Sequence, residues 1–184
     1  VFGINVAHEL GHRVTKYEQF LAKALLLTSL YMHFYIEHNR GHHKNVSTPA
    51  DPSSARKNEA LQLFWLRSVF GAYKSAWHLE NARLRRKKQP VFGLQNEMLI
   101  FTMVQLAMLL TVFLLFGAAV LLWFFLAAVF GFLLLETVNY IEHYGLARHK
   151  VSEFRYENAQ PQHSWNSDHV LGRLLLFELS RHSD

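Results

Sequence analysis

The stretch from Met98 to Leu135, MLIFTMVQLAMLLTVFLLFGAAVLLWFFLAAVFGFLLL, contains 38 consecutive residues without a charged side chain. A straight helix of this length would extend about 57 Å, whereas the hydrocarbon core of a bilayer is about 30 Å thick and is crossed by about 20 residues. We therefore predict two crossings, with a turn near Phe116-Gly117-Ala118. A buried hairpin in a soluble core is the alternative, but apolar side chains surround the whole circumference and leave no polar face.

The composition of the whole chain limits its chemistry. The 184 residues suffice for one domain, and the absence of cysteine excludes disulfides, thiolate metal sites, iron–sulfur clusters and cysteine nucleophiles within this chain. Histidine, by contrast, occurs 12 times. The net charge of +5 suggests contact with an anionic surface. Because the apolar part dominates, we do not expect a nucleic-acid partner.

Polar and apolar segments alternate before the apolar stretch. Residues 17–36 read as a shorter apolar helix, residues 44–60 as a loop, and residues 60–80 as an amphipathic helix. A basic cluster follows at residues 83–88 and marks the cytoplasmic side by the positive-inside rule.

These segments predict an all-α, integral-membrane helical bundle that forms a single domain over residues 1–184. With a two-crossing hairpin at about residues 98–135, the histidine-rich segments on both sides of it face the cytoplasm. The chain begins inside an apolar run and has no initiator methionine, so we expect it to be an internal part of a longer protein, truncated at both ends.

Histidines cluster in three boxes and at the start of a fourth. Histidines four residues apart share a helix face, so His8 and His12 can hold one metal together, and so can His38 and His42. His43 is rotated by about 100° from His42 and points to a different metal, which favours two neighbouring ions. The boxes are HELGH (8–12), EHNRGHH (37–43), NYIEHYG (139–145) and the beginning of a further one at Arg181-His182.

The metal hypothesis makes a structural demand. A straight helix would separate His12 from His38 by about 39 Å, so the chain must bend between them, most simply around residues 14–20. Two other interpretations remain open. HELGH alone is the zinc-protease pattern, with Glu9 as general base, and a helical membrane scaffold would need no metal at all.

The boxes, in their order and spacing, resemble those of the bacterial integral-membrane alkane 1-monooxygenases, the alkane hydroxylases. The similar stretches are HELGHR, EHNRGHH, NYIEHYG and the start of an LxRHSxHH motif at residues 179–184. Membrane fatty-acid hydroxylases and desaturases contain histidine boxes of the same general kind and are the alternative family.

The resemblance implies terminal hydroxylation of straight-chain alkanes to 1-alkanols with O2, at two non-haem iron ions. It implies electrons from NADH through rubredoxin reductase and rubredoxin, and a multi-pass location in the bacterial inner (cytoplasmic) membrane, among membrane lipid, with the site near the cytoplasmic face. The iron ligands implied here are His8, His12, His38, His42, His43, His143 and His182.

Other polar residues are predicted to assist the site. Glu136 is the first charged residue after the apolar stretch, and a carboxylate at that depth is costly unless it is paired. We expect it, with Glu142 and Asn139, to face the metal site and support ligand histidines. Arg85 and Arg86 are expected to help dock the acidic electron donor, although lipid headgroups would suit them as well.

Overall fold

The computed structural model describes residues 2–153 and 155–166. This part of the chain is mostly helical, which confirms the all-α expectation. The helices are α1 (Phe2–Gly11), α2 (Lys16–Thr28), α3 (Phe34–Glu37), a π-helical turn (His38–His42), α4 (His43–Asn45), α5 (Leu61–Arg86) and α6 (Glu97–His143). A two-stranded antiparallel sheet of β1 (Lys150–Ser152) and β2 (Arg155–Tyr156) and a 3₁₀ turn (Pro161–His163) follow, and the sequence did not predict this small sheet.

The long helix α6 reverses direction at Gly117, where φ is 81° and ψ is 177°. If it were straight, its ends would lie about 70 Å apart. Instead, Glu97 at one end accepts a hydrogen bond from Arg40, and the ring of His143 at the other end lies 4.9 Å from that of His42. Residues 97–116 therefore form a first arm and residues 118–143 a second arm, with the turn at the predicted position.

Both arms of α6 expose apolar side chains. Within the described part of the chain, α6 is the one helix that is long and apolar enough to cross a membrane, and only 6% of its most apolar 18-residue window is buried. Leu114, Leu115 and Trp123 are each about 70% exposed. Water would disfavour such a surface strongly, whereas lipid would solvate it.

The region from Gly11 to Glu37 is more broken than the sequence predicted. The chain reverses between α1 and α2, at residues 12–15, where Thr15 caps α2 by accepting a hydrogen bond from the backbone N–H of Glu18. The predicted helix over residues 17–36 ends at Thr28, because Leu30 adopts a left-handed conformation with φ of 51°. The apolar pattern continues through this break because Leu26 before it and Ile36 after it are both buried.

Helix α5 lies across the arms at the end that carries the histidines. It was predicted over residues 60–80 but continues to Arg86. Trp65 donates a hydrogen bond to Thr137 of the second arm, and further along α5 the buried Glu80 accepts one from the backbone N–H of Glu97 in the first arm. Arg83 and Arg40 also donate to Glu80, so this carboxylate joins α5, the π-helical turn and the hairpin.

Candidate metal centre

The ring nitrogens of four histidines lie next to one another. The Nε2 atoms of His8 and His12 are 3.4 Å apart, those of His12 and His38 are 3.2 Å apart, and those of His38 and His43 are 3.1 Å apart. Nitrogen ligands held about 2.0–2.1 Å from a tetrahedral ion lie about 3.4 Å from each other. The ligand atoms of His8, His12 and His38 all lie within 4.8 Å of one another, so these three can hold a single metal ion, and His43 adjoins the group through His38.

The π-helical turn determines which histidines meet. The spacing of four between His38 and His42 led us to expect that these two would share a metal and that His43 would point elsewhere. Instead, the backbone N–H of His43 donates to the carbonyl of His38, and the longer i to i+5 repeat places these two side chains on one face. The rings of His38 and His42 stack with centroids 5.2 Å apart, and His42 turns toward the second arm.

A second group forms around His42 and His143, whose ring centroids are 4.9 Å apart. The Nδ1–H of His42 donates to Asp51 at 2.9 Å, and that of His143 donates to the backbone carbonyl of His163 at 3.1 Å. Holding Nδ1 in this way fixes the tautomer and leaves Nε2 as the coordinating atom. This arrangement suits a second metal ion next to the first.

Several buried polar atoms near this second group have no partner among the described residues. They are Nε2 of His143 and both carboxylate oxygens of Glu142, which is 3% exposed. Buried polar atoms in proteins are almost always satisfied, so such a concentration needs an explanation. A cation at this position would satisfy the imidazole and compensate the carboxylate.

The electrostatics of the two groups differ. Burial lowers the pKa of His8 and His12, and burial together with the positive charge of His42 lowers the pKa of His43 to about 4. These rings are therefore neutral, which is the form that binds metals. Burial would also lower the pKa of His42, but the negative charge of Asp51 outweighs it and raises the pKa to about 9, so a metal that binds Nε2 of His42 would have to displace a proton.

The other residues that the sequence predicted for the site are Glu136, Arg85, Arg86 and His182. Glu136 is fully buried and faces the protein interior, where it accepts hydrogen bonds from Tyr31, Ser68 and Asn139 rather than from a histidine. Arg85 and Arg86 are exposed at the end of α5. His182 lies outside the described residues.

Two supporting residues were missed by the sequence analysis. Asp51 lies in a segment that reads as a polar loop, and only its proximity to His42 in space reveals its role. Glu9, which was considered only as the general base of a protease, accepts a hydrogen bond from Nδ1 of His8 at 3.1 Å. The Ser, Asp and Pro content of residues 47–54 indicates a turn, but it gives no sign that Asp51 contacts His42.

Comparison with known proteins places these features in a family. The model of the family described as "Fatty acid desaturase" matches residues 1–184. Alkane 1-monooxygenase 1 of Alcanivorax borkumensis is 46% identical over 98% of the chain, and alkane 1-monooxygenase of Ectopseudomonas oleovorans is 45% identical over the same share. The hydroxylase component of a xylene/toluene monooxygenase of Pseudomonas putida is 28% identical over 96% of the chain. The chain spans about 45% of the length of the two alkane monooxygenases and 47% of that of the xylene/toluene enzyme.

Proposed function

Because the chain belongs to the fatty acid desaturase family, we propose that the protein containing it hydroxylates the terminal carbon of straight-chain alkanes to give 1-alkanols. The observation that carries this proposal is the cluster of His8, His12 and His38, with His43 beside it, in which neighbouring Nε2 atoms are 3.1–3.4 Å apart, next to an apolar hairpin. The identity of 45–46% to proteins named alkane 1-monooxygenase supports the choice of substrate.

The proposed cofactor is a pair of non-haem iron ions. His8, His12, His38 and His43 would hold the first ion, and His42 and His143 would hold the second together with His182. Imidazole nitrogen suits iron as well as zinc and copper, so the ligand type permits iron without selecting it. Bound iron would supply the O2 activation that no amino-acid side chain can provide.

The chain's own residues prepare the site for this chemistry. Glu9, Asp51 and the carbonyl of His163 hold Nδ1 of three ligand rings, so that each Nε2 is presented in one orientation. Burial of His8, His42 and His143 to 3% exposure or less keeps bulk water from these rings. Glu142 would supply a carboxylate next to the second ion, and Glu136 and Asn139 support the second arm behind it.

The apolar surroundings of the site support an alkane as the substrate. An alkane offers neither charge nor hydrogen bond, so it can be selected only by apolar contact and is concentrated in the membrane. The apolar arms of α6 would lie in that membrane, and the site lies where both arms end. With the basic end of α5 on the cytoplasmic side, we place the protein in the bacterial inner membrane, as a multi-pass protein with its site near the cytoplasmic face.

Electrons would come from rubredoxin, which rubredoxin reductase reduces in turn. Rubredoxins are generally acidic, and the exposed Arg85 and Arg86 give the end of α5 a positive charge suited to such a donor.

The full-length protein, purified in detergent with its metals, tests the proposal. We expect about two irons per chain by elemental analysis and conversion of n-alkane to 1-alkanol when rubredoxin, its reductase and NADH are added, with one atom of ¹⁸O2 in the product. Zinc in place of iron, or peptide cleavage instead of alkane oxidation, would contradict it.

A fatty-acid hydroxylase or desaturase is the second candidate, favoured by the description of the matching family. Mass-spectrometric analysis with n-alkane and fatty-acyl substrates offered in parallel separates the two. Oxidation of the acyl chain without any 1-alkanol would favour this second candidate over the first.

A further inference from the structure

The loop of residues 47–54 passes directly behind His42. Asp51 in this loop is 3% exposed, and its carboxylate accepts hydrogen bonds from Nδ1 of His42 at 2.9 Å, from the hydroxyl of Ser54 and from the backbone N–H of Ser53 at 3.1 Å. A charged acceptor in a buried position makes a stronger hydrogen bond than a neutral one, and no bulk water competes with it. Asp51 is thus fixed by its own loop while it holds the imidazole.

The same loop also reaches His143. The hydroxyl of Ser54 accepts a hydrogen bond from the backbone N–H of Ser47 at 2.7 Å, and the hydroxyl of Ser47 donates to the carbonyl of His163 at 3.1 Å. That carbonyl is the one that accepts the Nδ1–H of His143. A continuous chain of hydrogen bonds therefore joins the supports of the two histidines, which lie about 100 residues apart in the sequence.

The contacts of His163 keep its carbonyl in place. Its side chain, 5% exposed, accepts a hydrogen bond from the backbone N–H of Gln160 at Nδ1 and donates through Nε2 to Glu157 at 3.2 Å. Its role is structural, because both ring nitrogens are used to hold the 3₁₀ turn.

We propose that Asp51 is a positioning residue for the second metal, acting through His42, and that Ser54 and Ser47 couple it to the support of His143. The proposal rests on the metal-binding part of the proposed function and does not depend on the identity of the substrate. Carboxylates that hold ligand histidines in this way typically change metal affinity by about 10- to 100-fold.

The test compares Asp51→Ala and Asp51→Asn in the full-length protein, stripped of metal and titrated with Co²⁺. Alanine removes the acceptor, so we expect the affinity of one of the two sites to fall by about 10- to 100-fold, while the site of His8, His12, His38 and His43 keeps its parental affinity. Asparagine keeps a neutral acceptor, so its affinity should be intermediate. The ligand-field absorption of Co²⁺ at the weakened site should change, which general destabilisation would not cause.

Asn96→Ala is the control. Asn96 is also a fully buried polar residue, but its side chain caps the first arm of α6 by accepting hydrogen bonds from the backbone N–H groups of Met98 and Leu99. We expect this variant to lose thermal stability and to keep two Co²⁺ sites of parental affinity and spectrum. If Asp51→Ala does not yield folded protein, Asp51→Asn and Ser54→Ala provide the same comparison.

Parental affinity and spectrum at both sites in the folded Asp51 variants would overturn the proposal, and so would equal weakening of both sites. The failure of the proposed function has a different signature. In that case the parent would bind two Co²⁺ ions and show the Asp51 effect, but would contain no iron as isolated or would not oxidise alkanes.

Discussion

At the scale of single residues, the chemistry depends on which nitrogen of each imidazole is available. His42 and His143 each donate Nδ1–H to a buried acceptor, while His8 donates to the partly exposed Glu9. The two groups of histidines are therefore supported by different parts of the chain. We therefore expect that each of the two proposed metals can be removed without the other.

Replacing either His38 or His143 by alanine should remove one iron. His38 contributes to the four-nitrogen cluster and His143 to the neighbouring group, so we expect elemental analysis of the purified full-length variants to give about one iron per chain instead of two. Turnover of n-alkane should be lost in both. His78→Ala is the control, because His78 is exposed on α5. Two irons and full turnover in either ligand variant would refute its assignment.

Replacing Glu136 by glutamine should weaken iron binding only indirectly. Glu136 contacts Tyr31, Ser68 and Asn139, so its influence on the histidines passes through space and through the packing of the second arm. We expect iron affinity to fall by about 10-fold, the low end of the usual range for residues that support metal ligands. Tyr31→Phe removes one of these hydrogen bonds and keeps the carboxyl group. A larger loss in Tyr31→Phe than in Glu136→Gln would contradict this account.

At the scale of elements, the π-helical turn is the feature that a sequence pattern could least predict. The histidine boxes and the reversal near Gly117 follow from residue spacing and from the limited thickness of a bilayer. The pairing of His38 with His43 depends instead on one extra residue in a helical turn, which periodicity does not reveal. Asp51 escaped detection for a related reason, because its partner is chosen by tertiary packing of a loop.

Gly41 packs closely inside this turn. A Cβ at this position would lie 2.6 Å from Oε1 of Glu37 and 3.0 Å from Cδ1 of Leu79, so both side chains would have to move to make room for it. We expect Gly41→Ala to displace the turn, to lower the thermal stability of the protein in detergent, and to weaken the four-nitrogen site in a Co²⁺ titration. Gly93→Ala, where the nearest atom would be 3.5 Å away, should change neither. Equal behaviour of the two variants would argue against a packing role for Gly41.

At the scale of the whole molecule, the structure has an apolar hairpin, a helix lying across its base, and a charged end that presents Arg85 and Arg86. If these arginines dock an acidic donor, reversing both charges should raise the KM for rubredoxin and weaken the dependence of that KM on salt, because charge complementarity mainly controls encounter. Steady-state assays with rubredoxin at several salt concentrations measure both effects. Lys74→Glu, an exposed basic residue on the same helix, is the control. An unchanged salt profile would leave lipid headgroups as the partner of these arginines.

The reversal at Gly117 also has a consequence for biosynthesis. His143 reaches His42 only after the second arm has been made, so a ribosome must translate 100 further residues after the second box before these two rings can meet. His8, His12, His38 and His43 are available much earlier in synthesis. We therefore expect the two ions to be acquired in order, the first by a nascent chain and the second only after the hairpin has entered the bilayer, so that incomplete insertion would leave a protein with one metal and no activity.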